Sequence, residues 1–598
     1  MAAPSEPTRR DAAVAVCLVA IALVPFVVAI ATTAGDSRVP LGDYALTDLR
    51  VRDVWSRDIP LVGAYSRFGW NHPGPAVYWL YAPISAVFGQ PAWATQLAGA
   101  LLQAVAIVAI GAVAWRAGRL PVLLAVLACT GLAYGAMGPS MVLDAWNANF
   151  AYPLFVLFVL LAWRVACADG ALIAALAVVG SLLVQAHIGY LPFVVAAGGA
   201  AVLVGIRRER EAPRRTALFA LAAAALLWLP PLVHEVLRAS NVRRVADSLL
   251  GGDEPTLGFT RAQRVLAEEF QVPPPWLGGH HEVEPFASLV VGASRAWLLV
   301  PVALLGVAWL GARRAHAAGS RELLALATGL VALALVALAR VVGDPERYVF
   351  YWRVPISILV VAASAWSIAV GFGLGGSAWV RRSLLGAGAV IVASASLSSA
   401  QRIAQYDTGE SEKELAAAAV DAVRERAAAS DGVLLRSPGV SFIGLHRTVI
   451  NELDRSGAPA RVDDDLGYQF GYSRAAEERE VEEIWYIAES GGDVSVLAGE
   501  PGAHVLWSAT PLPGADEAAL RAAQQDLWAA LRAAGRADLR SAISSPLAAF
   551  ALADVPGVDT ALVQRVADLN GRVEQSGTCR CAIVAFAVRD DPDLGGEP

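Results

Sequence analysis

Three aspartates in one hydrophilic segment are the first residues of this sequence that could do chemistry. The segment reads LGDYALTDLRVRDVWSRD over residues 41–58 and holds Asp43, Asp48 and Asp53. On a helix, a spacing of five residues turns successive side chains by about 140°, so the three carboxylates do not share one face. A carboxylate facing a cavity could take a proton from an attacking hydroxyl, and Asp43 and Asp48 are the candidate bases. Alternatively, Asp43 caps the helix, while Asp48 and Asp53 are solvated or pair with nearby arginines.

A second segment, residues 63–78, combines Gly and Pro with a cation, a histidine and aromatic residues. Gly and Pro impose an irregular backbone, which is tolerated at membrane depth where it lines a cavity covered by protein. There Arg67 could bind an anion, and His72 could donate to a phosphate or sugar oxygen. The alternative is an aromatic belt with a rigid turn.

Two further places pair aromatic and polar side chains. Trp146 and Asn147 suit a sugar, which can stack on an indole and hydrogen-bond to an amide, although they also suit an interfacial belt. His187 lies in a short polar break between two apolar runs, where a polar group is costly and therefore suggests a function. Both places are expected to face a donor phosphate or sugar.

Residues 343–352 precede the next apolar run, and Arg347, Tyr348 and Arg353 cluster around its start. Two arginines at this position could hold a lipid phosphate, or they could simply anchor the helix. His280, His281, Glu282 and Glu284 offer metal donors, but not at a spacing typical of a metal site. No nucleotide-binding or redox fingerprint is present, so no cofactor is predicted and a divalent metal is not indicated.

The amino-acid composition indicates what class of protein must position these residues. Of 598 residues, 56% are hydrophobic and only 17% are charged, and the mean hydropathy is +0.50. An ordinary soluble protein has about 25% charged residues, so that class is excluded. The 47 basic and 54 acidic residues leave no basic excess for nucleic acid.

Apolar runs predict a polytopic α-helical membrane protein with about eleven spans. The predicted spans are 12–34, 92–114, 120–138, 150–166, 170–186, 189–206, 217–236, 291–311, 322–342, 353–372 and 383–399. Arginines concentrate in the loops that would be cytoplasmic if the N-terminus is cytoplasmic. This distribution predicts a multi-pass protein of the plasma membrane whose tail lies outside the cytoplasm.

The sequence divides into a membrane domain, residues 1–400, and a tail, residues 401–598. The tail has 18 basic and 32 acidic residues, a net charge of −14, whereas residues 1–400 carry +7. The outer loop 35–91 is assigned to the membrane domain, with an amphipathic helix whose apolar stripe lies in the membrane interface. Helical runs at 410–429 and 515–534 and short apolar runs at 432–436 and 582–586 predict a small extracytoplasmic α/β domain.

Five cysteines do not form the framework of a disulfide-rich domain, and three of them lie in apolar runs. Cys579 and Cys581 are too close together and too isolated for a zinc site. If the tail lies outside the cell, these two residues could form a local disulfide.

In the order of its motifs, the sequence resembles the GT-C superfamily of membrane glycosyltransferases. Within that superfamily, the likeness is to the protein O-mannosyltransferase and aminoarabinose transferase branch and its actinobacterial relatives. Those relatives show a G-D-x-A-x-x-[ED]-L run, then R-F-G-W-x-H-P-G-P, a W-N-x-N loop and a Q-x-H-x-G-Y segment. Here the four motifs stand at Gly42–Leu49, Arg67–Pro75, Trp146–Asn149 and Gln185–Tyr190. The likeness covers roughly residues 12–400.

The resemblance implies an inverting sugar transfer from a polyprenyl-phosphate-linked donor to a hydroxyl of a cell-envelope glycan, lipid or protein. By position in the motif, Asp43 would be the general base. Many members of the family have Asp-Glu here, whereas Tyr44 follows Asp43 in this chain, so the second acid is Asp48 or is absent. Two alternatives are a flippase or transporter for polyprenyl-linked glycans and an inactive scaffold subunit of the same fold.

Overall fold

A computed structural model describes residues 8–208, 214–238, 240–250, 255–278, 293–314, 319–343, 346–374, 377–438, 443–489, 491–545, 548, 552, 555–576 and 579–591. The predicted metal donors at 280–284 lie outside these residues. In chain order, the helices of the first two thirds are α1 Arg9–Thr33, α2 Gly42–Asp53, α3 Ala76–Val87, α4 Ala92–Met137, α5 Ser140–Leu143, α6 Asn147–Ala166, α7 Ile173–Ala186, α8 Leu191–Phe193, α9 Gly199–Arg208, α10 Arg214–Arg238, α11 Asn241–Leu250, α12 Gly258–Glu268, α13 Pro275–Gly278, α14 Leu299–Arg314, α15 Ser320–Ala339, α16 Arg353–Gly371 and α17 Ala378–Ala404.

The last third alternates helices and strands, as the sequence predicts. Its elements are α18 Glu410–Ala429, β1 Val433–Arg436, α19 Leu445–Arg455, β2 Ala460–Asp463, α20 Gly467–Phe470, β3 Ala475–Ala476, β4 Glu483–Ala488, α21 Gly491–Gly499, β5 His504–Ala509, α22 Gly514–Ala533, α23 Thr560–Gln575 and β6 Cys581–Ala587. The helices predicted at 410–429 and 515–534 correspond to α18 and α22, and the apolar runs at 432–436 and 582–586 correspond to β1 and β6. The fold class is therefore confirmed.

The apolar helices make this chain a multi-pass membrane protein. Among the residues described, nine helices are long and apolar enough to cross a membrane, and α7 is a shorter apolar helix. The predicted spans coincide in position with these helices. The count of eleven stays a prediction.

The longest of these helices, α4, is two helices joined by a reversal of the chain. Gly118 and Arg119 leave the helical conformation, and Arg119 has a φ of 56°. The Tyr134 hydroxyl donates to Gln103 Oε1 at 2.9 Å. In one continuous helix these residues would stand about 46 Å apart, so the halves of α4 lie antiparallel. The sequence predicts this reversal as two spans, 92–114 and 120–138.

The chain forms two compact units, and the division differs from the predicted one. One unit comprises residues 1–36 and 60–406, and the other comprises residues 37–59 and 407–598. We call them the membrane unit and the α/β unit. Helix α2 thus belongs to the α/β unit, whereas the sequence analysis placed it with the membrane domain. The reason is its packing, since Leu46, Leu49 and Val51 are buried there and the Thr448 hydroxyl donates to the Pro40 carbonyl at 3.0 Å.

The α/β unit is built on a six-stranded sheet with the strand order β3-β2-β1-β4-β6-β5. Strands β3, β2, β1 and β4 are parallel, and β6 runs antiparallel between β4 and β5. Residues Ile484–Ala488 of β4 are all buried, which fits a central strand covered on both faces. The strand order reverses between β1 and β4, where open α/β sheets commonly form a crevice at the carboxyl ends of the strands.

Candidate functional site

Four aromatic side chains of the membrane unit form one continuous series of contacts, which we call the ring cluster. The ring centroids of Trp146 and Tyr348 lie 4.8 Å apart, those of Tyr348 and His187 lie 6.1 Å apart, and those of His187 and His72 lie 4.7 Å apart. The four residues come from four separate segments of the sequence, and all were predicted from sequence as donor-binding residues. The fold therefore brings this part of the predicted site together.

His72 is held by a hairpin that explains the glycines of its motif. The Gly63 amide donates to the His72 carbonyl at 2.9 Å, and the His72 amide donates to the Ala64 carbonyl at 2.8 Å. A Cβ at Gly74 would overlap the Gln185 side chain, so only glycine lets the hairpin pack on α7. Gln185, two residues before His187, thereby connects two of the sequence motifs.

Both histidines of the ring cluster face consecutive backbone amides. The Ile188 amide donates to His72 Nδ1 at 3.2 Å, and the Gly189 amide donates to His187 Nδ1 at 3.2 Å. Both side chains are buried. Burial, with a smaller contribution from His187, lowers the pKa of His72 well below its usual value.

Amide side chains secure the backbone around the cluster. Asn147 Nδ2 donates to the Ala186 carbonyl at 2.8 Å, next to His187. This amide is therefore used to hold α6 against the end of α7. Asn241 was missed by sequence reasoning: its Oδ1 accepts from the Asn71 amide at 2.8 Å, and its Nδ2 donates to the Asn71 carbonyl at 3.1 Å. Nothing in the sequence near Asn241 signals this pairing.

The predicted arginines have three different environments. Arg67 pairs with Glu346 at 2.5 Å and is about one third exposed. Arg347 precedes Tyr348, and its Nε is enclosed without a hydrogen-bond partner. Arg353 is 3% exposed, donates to the Val265 carbonyl at 2.8 Å and lies 3.3 and 3.5 Å from two carboxylates at the end of α12, Glu268 and Glu269. The structure thus directs Arg353 to α12.

The two candidate bases lie in the α/β unit and differ in environment. Asp43 is in the first turn of α2, 16% exposed, with Oδ1 3.3 Å from Arg447 Nη1. Leu41, rather than Asp43, is the cap of the helix, so the capping interpretation is wrong. Asp48 is 1% exposed and pairs with Arg52 at 2.9 Å and with Arg455. Asp48 is thus almost completely enclosed, whereas the Asp43 side chain is partly exposed.

Asp48 is part of a buried network of ion pairs, which we call the α2 network; its members are Asp48, Arg52, Asp53, Asp454, Arg455 and Arg474. Arg474 contacts Asp53 and Asp454, each at 2.8 Å. Burial alone would raise the pKa of Asp454, but Arg474 and Arg52 outweigh it and hold that pKa below its usual value. The expectation that Asp48 and Asp53 pair with nearby arginines is confirmed for Arg52 and Arg50.

The crevice of the sheet is filled by the chain itself. Glu489 follows β4, and its Oε2 accepts the amides of Ile443 and Gly444 at 2.7 and 3.0 Å. These amides lead into α19, so a carboxylate of the protein occupies the place where such folds commonly bind an anionic ligand. Among the described residues, no group of three or more His, Cys, Asp or Glu side chains could hold a metal ion.

The cysteines of the tail are joined in the structure. Cys579 and Cys581 form a disulfide immediately before and at the start of β6. Cys17, Cys129 and Cys167 are free. The disulfide borders Arg580, which is buried and pairs with Glu517 at 2.5 Å.

No family model and no curated protein matches this chain. Among solved structures, it is similar to the crystal structure of ArnT from Cupriavidus metallidurans bound to undecaprenyl phosphate, with a TM-score of 0.49 and 15% identity over 82% of this chain and 96% of that chain. It is also similar to the same enzyme in the apo state, with a TM-score of 0.48 and 14% identity over 82% and 95% of the two chains. No residue's role is carried over from these structures to this chain.

Proposed function

We propose that this protein is an inverting glycosyltransferase that moves a sugar from a polyprenyl-phosphate-linked donor to a hydroxyl of a cell-envelope glycan, lipid or protein. The observation that carries the proposal is the ring cluster, in which Trp146, Tyr348, His187 and His72 meet although they come from four motifs far apart in sequence. Aromatic faces bind sugar rings, and imidazole N–H groups bind phosphate oxygens. The combination suits a sugar phosphate.

The proposed reaction is a single displacement. The acceptor oxygen attacks the anomeric carbon, the bond from that carbon to the phosphate oxygen breaks, and the polyprenyl phosphate leaves with the electron pair. Asp43 takes the hydroxyl proton as the acceptor attacks, a role that suits an accessible carboxylate. The donor is already activated, so no nucleotide is needed at this step.

Negative charge grows on the leaving phosphate, and cations and N–H donors near that oxygen would stabilise it. Within the membrane unit, Arg67 and Arg347 are the proposed cations, and the two histidines are the proposed N–H donors. Arg353 is not included, because its guanidinium faces the carboxylates of α12. Asn147 contributes by holding the backbone at Ala186.

The proposed location of the reaction is the outer face of the plasma membrane. Arginines fall in the loops that are cytoplasmic when the N-terminus is cytoplasmic, and an odd number of spans then carries the α/β unit to the outside. A cysteine introduced at exposed Asp464 would test this orientation, because an impermeant thiol reagent should label it in intact cells.

A transfer assay tests the enzyme. Purified wild type and Asp43→Asn are incubated with a polyprenyl-phosphate-sugar pool and a cell-envelope glycan extract, and release of polyprenyl phosphate is followed by mass spectrometry. Loss of the base should lower the rate by about 10²–10⁴-fold. The matched control is Asp464→Asn, which neutralises an exposed aspartate of the same unit.

Each other outcome has a defined meaning. Equal release of polyprenyl phosphate by wild type and Asp43→Asn would support the proposed glycosyltransferase activity and reject Asp43 as its base. No release by either protein, with lipid still bound, would reject the enzyme and favour the scaffold subunit. Lipid movement across a vesicle membrane without release would favour the flippase.

A further inference from the structure

The two histidines of the ring cluster have their hydrogen positions set by the backbone. The amides of Ile188 and Gly189 donate to His72 Nδ1 and His187 Nδ1, respectively, both at 3.2 Å. A nitrogen that accepts a hydrogen bond must present a lone pair. A neutral imidazole has one such nitrogen and one N–H, so in both rings the hydrogen is on Nε2.

We propose that His72 and His187 are a pair of uncharged Nε2–H donors that together bind a phosphate oxygen of the ligand. The identity of that ligand, a polyprenyl phosphate, rests on the proposed function. The pairing itself rests on the geometry of one turn, because two consecutive amides of residues 188–189 fix two rings from different segments. Since both Nδ1 atoms face this turn, both Nε2 atoms face away from it.

A charged pair is disfavoured by three observations. The ring centroids are only 4.7 Å apart, so two imidazolium ions would repel each other. Each side chain is 6% exposed, which removes the water that would solvate a charge. Protonation of either Nδ1 would also place its hydrogen against a backbone N–H. The rings therefore donate without carrying charge.

The chemical consequence concerns how firmly a phosphate is held. A neutral N–H that donates to an ionised phosphate oxygen makes a charge-assisted hydrogen bond, but it does not form an ion pair. In a site that must release a polyprenyl phosphate after each transfer, two neutral donors give direction without an ion pair. Arg67 already pairs with Glu346, so in this arrangement the two rings supply the hydrogen bonds to the phosphate and the arginines supply positive charge near it.

Side-chain isosteres test the proposal in the full-length protein in lipid nanodiscs. A glutamine amide can place its N–H₂ where imidazole Nε2 lies, whereas an asparagine amide reaches only the position of Nδ1. Binding of undecaprenyl phosphate is measured by native mass spectrometry, with undecaprenol as the uncharged control. His72→Gln and His187→Gln should bind within a few-fold of wild type, and His72→Asn and His187→Asn should bind about 10- to 100-fold more weakly, since each loses a hydrogen bond to a charged group.

Equal binding by the Asn variants, or loss by the Gln variants alone, would overturn the proposal. A second measurement does not depend on how the variants fold: ¹⁵N spectra of histidine-labelled wild type at pH 7 should show Nε2–H and unprotonated Nδ1 in both rings. Doubly protonated rings, or hydrogen on Nδ1, would reject the pair. Selective binding of undecaprenyl phosphate without sugar transfer would reject the proposed function but support the histidine pair. Sugar transfer together with weak binding by the Gln variants and normal binding by the Asn variants would support the proposed function but reject the histidine pair.

Discussion

The ring cluster and the α2 network satisfy buried polar groups by opposite means. In the ring cluster, backbone amides donate to the imidazoles of His72 and His187, and a side-chain amide donates to a backbone carbonyl. In the α2 network, Arg474 and Arg455 neutralise carboxylates that are almost completely enclosed. A buried ion pair is costly to break, because removing one partner leaves an uncompensated charge. The proposed ligand site thus uses aromatic rings and N–H groups, whereas most of the charge at α2 is taken up by ion pairs that hold the fold together.

The largest expected effect comes from breaking the α2 network. Arg474→Met removes the guanidinium between Asp53 and Asp454 and should lower the free energy of unfolding of the α/β unit by about 3–5 kcal/mol. Hydrogen exchange of residues 37–59 and 445–455 measures it. Arg479→Gln is the control, since Arg479 is 77% exposed and pairs with Glu477, which is also exposed. Equal effects of the two variants would contradict the role given to the network.

The second largest expected effect concerns the hairpin that holds His72 in the ring cluster. Gly74→Ala forces a methyl group into the Gln185 side chain and should cost about 1–3 kcal/mol, seen as faster hydrogen exchange in residues 60–75. Gly135→Ala provides the control, because a Cβ there has no neighbour within 4 Å. Unchanged exchange in Gly74→Ala would show that the hairpin can move away from α7.

The third expected effect is a pH dependence of the stability of the α/β unit. His446 is buried, and its pKa is lowered from its usual value to about 4. The unfolded chain therefore takes up a proton before the folded one, so this contribution to stability is complete above about pH 6.5 and is lost as the pH falls. From pH 6.5 to 4.5, the free energy of unfolding should fall by about 2 kcal/mol through this residue. His446→Gln should show a correspondingly shallower dependence, and parallel curves for the two proteins would contradict the prediction.

The smallest effect sharpens the difference between the two candidate bases. Arg447→Gln removes a partner of the partly exposed Asp43 and should change the stability by less than about 1 kcal/mol, because that pair is partly solvated. Arg455→Gln removes a partner of the enclosed Asp48 and should cost several times more. Chemical denaturation of both variants gives the measurement. A larger loss in Arg447→Gln would reverse the assignment of Asp43 as the functional carboxylate.

Features that depend on local pattern could be predicted from the sequence. Apolar length places the membrane helices, and alternating runs of helical and apolar residues place α18, α22, β1 and β6. The members of the ring cluster could be named individually, since an aromatic or a histidine between apolar runs is unusual. Their meeting depends on the packing of helices and was not derivable from spacing.

Features that depend on distant partners could not be predicted. Arg347 and Arg353 look alike in sequence, but Arg353 turns to Glu268 and Glu269, more than eighty residues away. The hydrophobic residues of α2 resemble a membrane-interface stripe, yet they are buried in the α/β unit. Residues far along the chain, among them Thr448, Arg455 and Arg474, provide the partners that hold α2 there.

The position of α2 in the chain has a consequence for biosynthesis. Residues 37–59 leave the ribosome early, but the arginines that pair with Asp48 and Asp53 from the other side are residues 455 and 474. Until roughly four hundred more residues are made, the aspartates have only the arginines of their own segment. Because chains are synthesised from the N-terminus, the helix that carries Asp43 gains its lasting neighbours among the last parts of the protein to emerge. A chain truncated before α19 would therefore keep the membrane helices that the structure describes and still lack Arg447, which pairs with the proposed base.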